Sequence, residues 1–95
     1  MRINSIAEFL NFVRSNGLTN IAPDVAAFTR CMEEFQRMCP CDPDAAKRAK
    51  IGQCRAMYIN FVNRSAQFKD ALLSKSPDGT ITFGVDNQVI TTLSR

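Results

Sequence analysis

Ninety-five residues, 45% apolar and 22% charged, make one small domain of ordinary globular composition, with no room for a second domain and no compositional sign of disorder. The chain has no histidine, which removes Ser-His and Cys-His nucleophile pairs and imidazole metal ligands. The net charge of +3 is unevenly spread: residues 1–44 hold four basic and six acidic side chains, whereas residues 45–75 hold seven basic side chains against Asp70 alone. The middle of the chain is therefore its basic element. The opening Met-Arg-Ile-Asn-Ser-Ile-Ala-Glu lacks the apolar run of a secretory signal, and no stretch approaches ~18 apolar residues. A cytoplasmic, non-membrane setting with reduced thiols is the expectation.

In chain order, Ser5 with Glu8 three residues on is a capping box, and Ile6, Phe9, Leu10 and Val13 share one face of a helix over residues 5–16. Asn16-Gly17 is a helix stop, and residues 18–22 connect onward. Pro23 and Asp24 suit the first turn of a second helix, over residues 23–38. Its seam is Val25, Phe28, Met32, Phe35 and Cys39, and Pro40 disfavours helical geometry at Cys39. Asp42-Pro43-Asp44 reads as a cap, a proline at the first helical position and a charge at the dipole's positive end. A third helix then runs over residues 43–73 with the seam Ile51, Cys54, Tyr58, Phe61, Ser65, Phe68 and Leu72. Ser76-Pro77-Asp78-Gly79 is a turn, and two β-branched runs over residues 80–93, separated by Asp86-Asn87, read as a two-stranded β-hairpin. The expected fold is one domain over residues 1–95: mainly α, an antiparallel helical hairpin with an N-terminal helix and a C-terminal β-hairpin.

A 31-residue third helix would be roughly 46 Å long, against a diameter of roughly 32 Å for a chain of this size. It must break, with Gly52 a candidate position, or project toward a partner. Positions away from the seam include the uncharged Gly52, Gln53, Ile59, Asn60, Asn63 and Gln67, while Arg48, Lys50, Arg55, Arg64 and Lys69 flank the seam, so the helix is covered on more than one side, by the N-terminal helix and the β-hairpin or by a partner. Two strands alone are marginal in water, so the β-hairpin must pack on the helices or pair with another chain.

Cys31, Cys39, Cys41 and Cys54 invite a four-thiolate zinc site, but their spacings do not form paired knuckles. Helix rise also places Cys54 roughly 16 Å from the turn and Cys31 roughly 12 Å from Cys39. Cys39 and Cys41 are the residual metal candidates. A Cys31–Cys54 bridge across an antiparallel helix pair is conceivable, and a redox Cys-Pro-Cys is a third option, with Cys41 just before a helix N-terminus and Asp42 and Asp44 opposing thiolate formation. The favoured reading makes Cys31 and Cys54 small buried hydrophobes and leaves Cys39-Pro40-Cys41 to shape the turn. No cofactor is expected.

The nine residues between Cys31 and Cys41 partly resemble mitochondrial twin-CX9C hairpins, but twelve residues separate Cys41 from Cys54, a departure from that pattern. The stretch from Cys39 to Asn63 (Cys-Pro-Cys-Asp-Pro-Asp-Ala-Ala-Lys-Arg-Ala-Lys-Ile-Gly-Gln-Cys-Arg-Ala-Met-Tyr-Ile-Asn-Phe-Val-Asn) resembles segments of small uncharacterised proteins of large tailed phages of marine bacteria. It covers roughly a quarter of the chain. The resemblance implies a viral product in the host cytoplasm or the virion and assigns no role to any residue.

Scattered glycines give no phosphate loop, and the carboxylates sit at helix starts and turns, so no enzyme is expected. The expected function is a non-catalytic interaction or accessory structural protein, self-associating or docking on a larger assembly through Ile59, Asn60, Asn63, Gln67, Thr91 and Leu93. The alternative is nucleic-acid binding through Lys47, Arg48, Lys50 and Arg55, and a further alternative is a cysteine-based metal or redox module.

Overall fold

Among the described residues, seven short elements follow one another along the chain. A computed structural model describes residues 1–18, 21–39, 41–85 and 88–94. They form β1 (Arg2–Ile3), α1 (Ile6–Ser15), α2 (Ala22–Gln36), α3 (Asp44–Arg64), α4 (Ala66–Lys75), β2 (Thr80–Val85) and β3 (Gln88–Ser94). The fold is mainly α with a small sheet, as expected. The expected strand turn at Asp86-Asn87 lies outside the described residues, as does Pro40.

Local chemistry explains the ends of α1. The Ser5 hydroxyl accepts the Glu8 N–H at 3.2 Å, while the Glu8 carboxylate reaches back to accept the Asn4 N–H at 2.7 Å. At the other end Gly17 takes φ 64°, which lets the Gly17 N–H donate to Arg14 O at 3.0 Å and the Leu18 N–H to Val13 O at 3.1 Å. This is the Schellman pattern, and the apolar residue after it, Leu18, is buried beside Val13.

The start of α3 differs from the sequence expectation. Asp42 is not its cap: the carboxylate turns back to accept the Cys39 N–H at 2.9 Å, and the helix begins at Asp44 with Pro43 at the cap position. A short acidic side chain in a turn satisfies the nearest free amide, here the one left by the end of α2.

The expected 43–73 helix is two helices. It passes straight through Gly52 and breaks at Ser65, which has φ −126° and ψ 103°. The Ser65 hydroxyl accepts the Phe68 N–H at 3.1 Å and so caps α4, from a buried position. The break leaves the apolar seam in step, since Cys54, Tyr58, Phe61, Ser65, Phe68 and Leu72 are all buried. With 21 residues, α3 is roughly 31 Å long, well within the 39 Å long axis of the molecule. The projecting helix inferred from length therefore disappears, and with it the argument that its length demands a partner.

α2 packs against α3. Asp24 pairs with Arg64 at 3.4 Å, Cys31 is joined to Cys54, and Glu34 pairs with Lys50 at 2.6 Å. The partners on α3 descend as those on α2 ascend. Aromatic rings fill the centre: Phe9 meets Phe28 at 5.3 Å between centroids, Phe28 meets Phe61 at 5.4 Å, and Phe61 meets Phe68 at 5.0 Å. The Tyr58 hydroxyl, buried at the edge of this cluster, donates to Gly79 O at 2.8 Å and ties α3 to the turn before β2.

The sheet has three strands in the order β1-β2-β3, not the expected two. β1 lies parallel to β2, pairing Ile3 with Phe83, and β3 lies antiparallel to β2, pairing Ile81 with Leu93. The Thr82 N–H donates to Met1 O at 2.8 Å. The second edge of β2 is thus paired within the chain, and the sheet seats Ile3, Ile81, Phe83 and Leu93 in the core. The turn before β2 is closed by Asp78 Oδ1, which accepts the Thr80 N–H at 3.0 Å and lies 2.7 Å from the Ser76 hydroxyl.

Two substitutions separate the break from the glycine. Ser65→Ala removes a buried cap and should lower stability by about 1–2 kcal/mol. At Gly52 an added Cβ meets nothing within 4 Å, so Gly52→Ala should raise stability by about 0.5–1 kcal/mol. Urea unfolding followed by helical ellipticity reads both, and opposite signs are expected. The pH dependence has a definite sign as well. The Ser76 hydroxyl and Thr80 amide hold Asp78 below its ordinary 3.8, and the Lys50 ammonium holds Glu34 below its ordinary 4.5. These contributions are complete above the ordinary values and are lost as pH falls through the lowered folded ones. Urea midpoints should therefore hold from neutrality to the carboxylate range and then decline, less steeply in Lys50→Met.

Candidate functional site

The four cysteines form two bridges of opposite character. Cys31 on α2 and Cys54 on α3 are 4% and 0% exposed and are joined with a Cα–Cα distance of 5.6 Å and a sequence separation of 23. The sequence expectation that both are buried holds; the expectation that they are free thiols filling space does not. Cys31 lies beside the α2 seam and Cys54 in the α3 seam, and helix packing brings them to a Cα–Cα distance that a disulfide spans. Cys39 and Cys41 are both exposed, in the turn between α2 and α3, and are joined to each other across a separation of 2. As a disulfide they offer no thiolate to a metal, which corrects their place as metal candidates. Among the described residues no group of three or more His, Cys, Asp or Glu side chains is placed to hold a metal ion.

The expected interface residues do not form one surface. Asn60 and Asn63 are exposed on α3, whereas Ile59 is half-buried against the core. Gln67 lies beyond the break on α4, where its side-chain amide donates to Asn16 O at 3.3 Å and latches α4 to the end of α1. Leu93 is fully buried opposite Ile81, so its side chain belongs to the core and cannot reach a partner. Strand alternation puts it there, because its pairing partner faces inward. Thr91 is half-buried opposite Phe83.

Sequence reasoning missed Val89. The ladder shifts between Phe83 and Gly84: Phe83 pairs with Thr91 but Gly84 pairs with Val89, leaving Ile90 as an extra residue. This bulge reverses the in–out alternation, so Val89 faces outward, 59% exposed, where an unbroken strand would face it inward with Thr91 and Leu93. Among the described residues it is the large hydrophobic side chain left mostly in solvent. The local sequence signal is Gly84, an isolated glycine inside a β-branched run, which marks a bulge or a close backbone approach. Gly84, opposite Val89, is packed so closely that an added Cβ would lie 2.8 Å from Gln88 O and 2.8 Å from the Arg2 guanidinium.

The candidate nucleic-acid residues are divided among different engagements. Lys50 donates to Glu34 at 2.6 Å, Arg55 donates to Thr92 O at 3.3 Å on β3, Lys47 is half-buried, and Arg48 is exposed. An apolar groove of about 340 Å³ lies between α1 and α2, lined among others by Leu10, Val13, Leu18 and Val25, with Arg14 and Thr29. No helix among the described residues is long and apolar enough to cross a membrane.

Comparison with known proteins returns no match: no family model fits the chain, and neither a curated protein nor a solved structure matches it.

Opening the buried bridge should be costly. In the chain-entropy view, closing a loop of this length constrains the unfolded chain by about 3 kcal/mol. The double variant Cys31→Ser/Cys54→Ser should lose about 2–4 kcal/mol in urea unfolding, whereas Cys39→Ser/Cys41→Ser should lose about 1 kcal/mol or less, because its loop is minimal and solvent-facing.

Proposed function

We propose that the protein is a small interaction module that works by docking rather than by turnover and that associates with a second copy of itself through the open edge of β3. In this reading α2 and α3 act as an antiparallel helical hairpin, stapled by Cys31–Cys54, that holds the sheet in place. The observation that carries the proposal is Val89, turned outward by the bulge on the outer strand of the sheet.

The strand favours a copy of itself as its partner. Gln88–Ser94 contains no charged residue and no proline, the devices that commonly protect a sheet edge. Two such strands meeting antiparallel about a two-fold axis bring no charged side chains of their own together and bury Val89 on both sides. Thr91, expected from the sequence at the interface, lies in the same strand. Arg55, which donates to Thr92 O, occupies one acceptor of this edge and would have to give way or share it. The nucleic-acid reading has weaker support, since Lys50 and Arg55 are engaged within the chain.

The setting we propose is one in which disulfides persist, such as a virion or cell surface. This agrees with the virion half of the phage resemblance and departs from the reducing cytoplasm expected from the sequence.

Light scattering on the purified chain at tens to hundreds of micromolar should give a dimer mass that returns to monomer in Val89→Lys, with helical ellipticity unchanged. A monomer across the whole concentration range, or a dimer indifferent to Val89→Lys, would overturn the edge-pairing proposal.

A further inference from the structure

The Cys39–Cys41 bridge is used neither by the core nor by the β3 edge. We propose that it is a thiol–disulfide exchange site that takes an external low-molecular-weight thiol at the Cys41 sulfur, while Cys31–Cys54 remains closed as a staple. This goes beyond the docking function and stands on different residues.

Access separates the two bridges. Exchange needs a thiolate to approach one sulfur in line with the bond to the other. Cys31 and Cys54 sit at 4% and 0% exposure between two packed helices, so no approach exists without separating α2 from α3. Cys39 and Cys41 are both exposed in a turn, and their bond closes over one intervening residue. Opening it unpacks no element of the core. Exposed bridges are the labile and reactive class, buried ones the resistant class.

The turn also distinguishes the two sulfurs. The Cys41 N–H lies 3.2 Å from Cys39 Sγ and donates to it. A donor placed there stabilises negative charge as it develops, which makes Cys39 the better leaving sulfur and Cys41 the one attacked. The Cys39 N–H is held in turn by Asp42 Oδ2 at 2.9 Å, so the carboxylate that left the helix cap instead fixes the backbone carrying the leaving sulfur.

The external thiolate forms a new S–S bond to Cys41 Sγ, the Cys39–Cys41 bond breaks, and its electron pair leaves on Cys39, which takes a proton from solvent. A second thiol attacks the external sulfur of this mixed disulfide, forms the small-molecule disulfide and releases Cys41 as a thiolate that is also protonated. Two electrons and two protons pass from two small thiols to the bridge. Oxidation by a small-molecule disulfide runs the same steps in reverse.

The test uses the folded full chain. It is equilibrated with graded dithiothreitol, quenched in acid, alkylated and mapped by peptide mass spectrometry, with a parallel series in glutathione to trap the mixed disulfide. The expected result is alkylation of Cys39 and Cys41 at dithiothreitol concentrations at least about tenfold below those that open Cys31–Cys54, with ellipticity unchanged and the glutathione adduct on Cys41. Both bridges opening together, Cys31–Cys54 opening first, or an adduct on Cys39 would each overturn the proposal. The variant Cys39→Ser/Cys41→Ser retains the staple and should fold with wild-type ellipticity while losing all low-concentration thiol uptake; uptake that persists in it would also overturn the assignment.

Discussion

Five elements of this protein meet on the ring of Phe9. From α1 it reaches Phe28 on α2, Phe61 on α3, Phe68 on α4 and Phe83 on β2, with centroid separations of 5.3 to 6.4 Å. A chain of 95 residues buries only about 60–65% of its unfolded surface, so a few large rings must supply much of the apolar burial. Several pairs meet edge-to-face, including Phe61 with Phe68 and Tyr58 with Phe61, the arrangement that aromatic quadrupoles favour. The break at Ser65 lies between two rings of this centre, Phe61 and Phe68. An unbroken helix would carry Phe68 straight on from Phe61, whereas the bend keeps the two rings 5.0 Å apart and both against Phe9.

Around that centre, covalent and polar links follow the seam of α2 and α3. Cys31–Cys54 joins the helices near the middle of their contact, with Glu34–Lys50 and Asp24–Arg64 to either side. The two ion pairs are solvent-facing and contribute little, so the bridge and the apolar seam hold the helices together. Cys39–Cys41 lies at the end of the same pair, in the turn, where it adds almost no constraint. One cysteine pair therefore lies in the core and the other at the surface.

The sheet depends on the helices as much as on its own ladder. β1 contributes only Arg2 and Ile3, yet it protects one edge of β2 and buries Ile3. The other edge belongs to β3, and the bulge at Ile90 gives it two faces: Leu93 inside, Val89 outside. Gly84 is the residue that permits this, because the strand there approaches both Arg2 and Gln88 too closely for a side chain.

By itself the sequence determined the elements whose signals are local. The Ser5 capping box, the Asn16-Gly17 stop, the helical seams and the two β-branched runs after Gly79 all depend on hydrogen bonds and side-chain periods within a few residues. The existence of the helices and of the β2–β3 pair, and the helical part of the core, were legible from them; Ile3, Leu18, Ile21, Val62 and Leu93 were not, and Cys39, read into the α2 seam, is exposed. Only the tertiary structure decided the rest. The break at Ser65 preserves the apolar period and so leaves no trace in it. The pairing of Arg2–Ile3 with β2 joins residues about eighty positions apart. The bulge that exposes Val89 is a property of two strands together, and the bonding of Cys31 to Cys54 and Cys39 to Cys41 follows from which sulfurs the packed helices and their turn bring within reach. Spacing narrows such pairings, but distance in the folded chain selects among them.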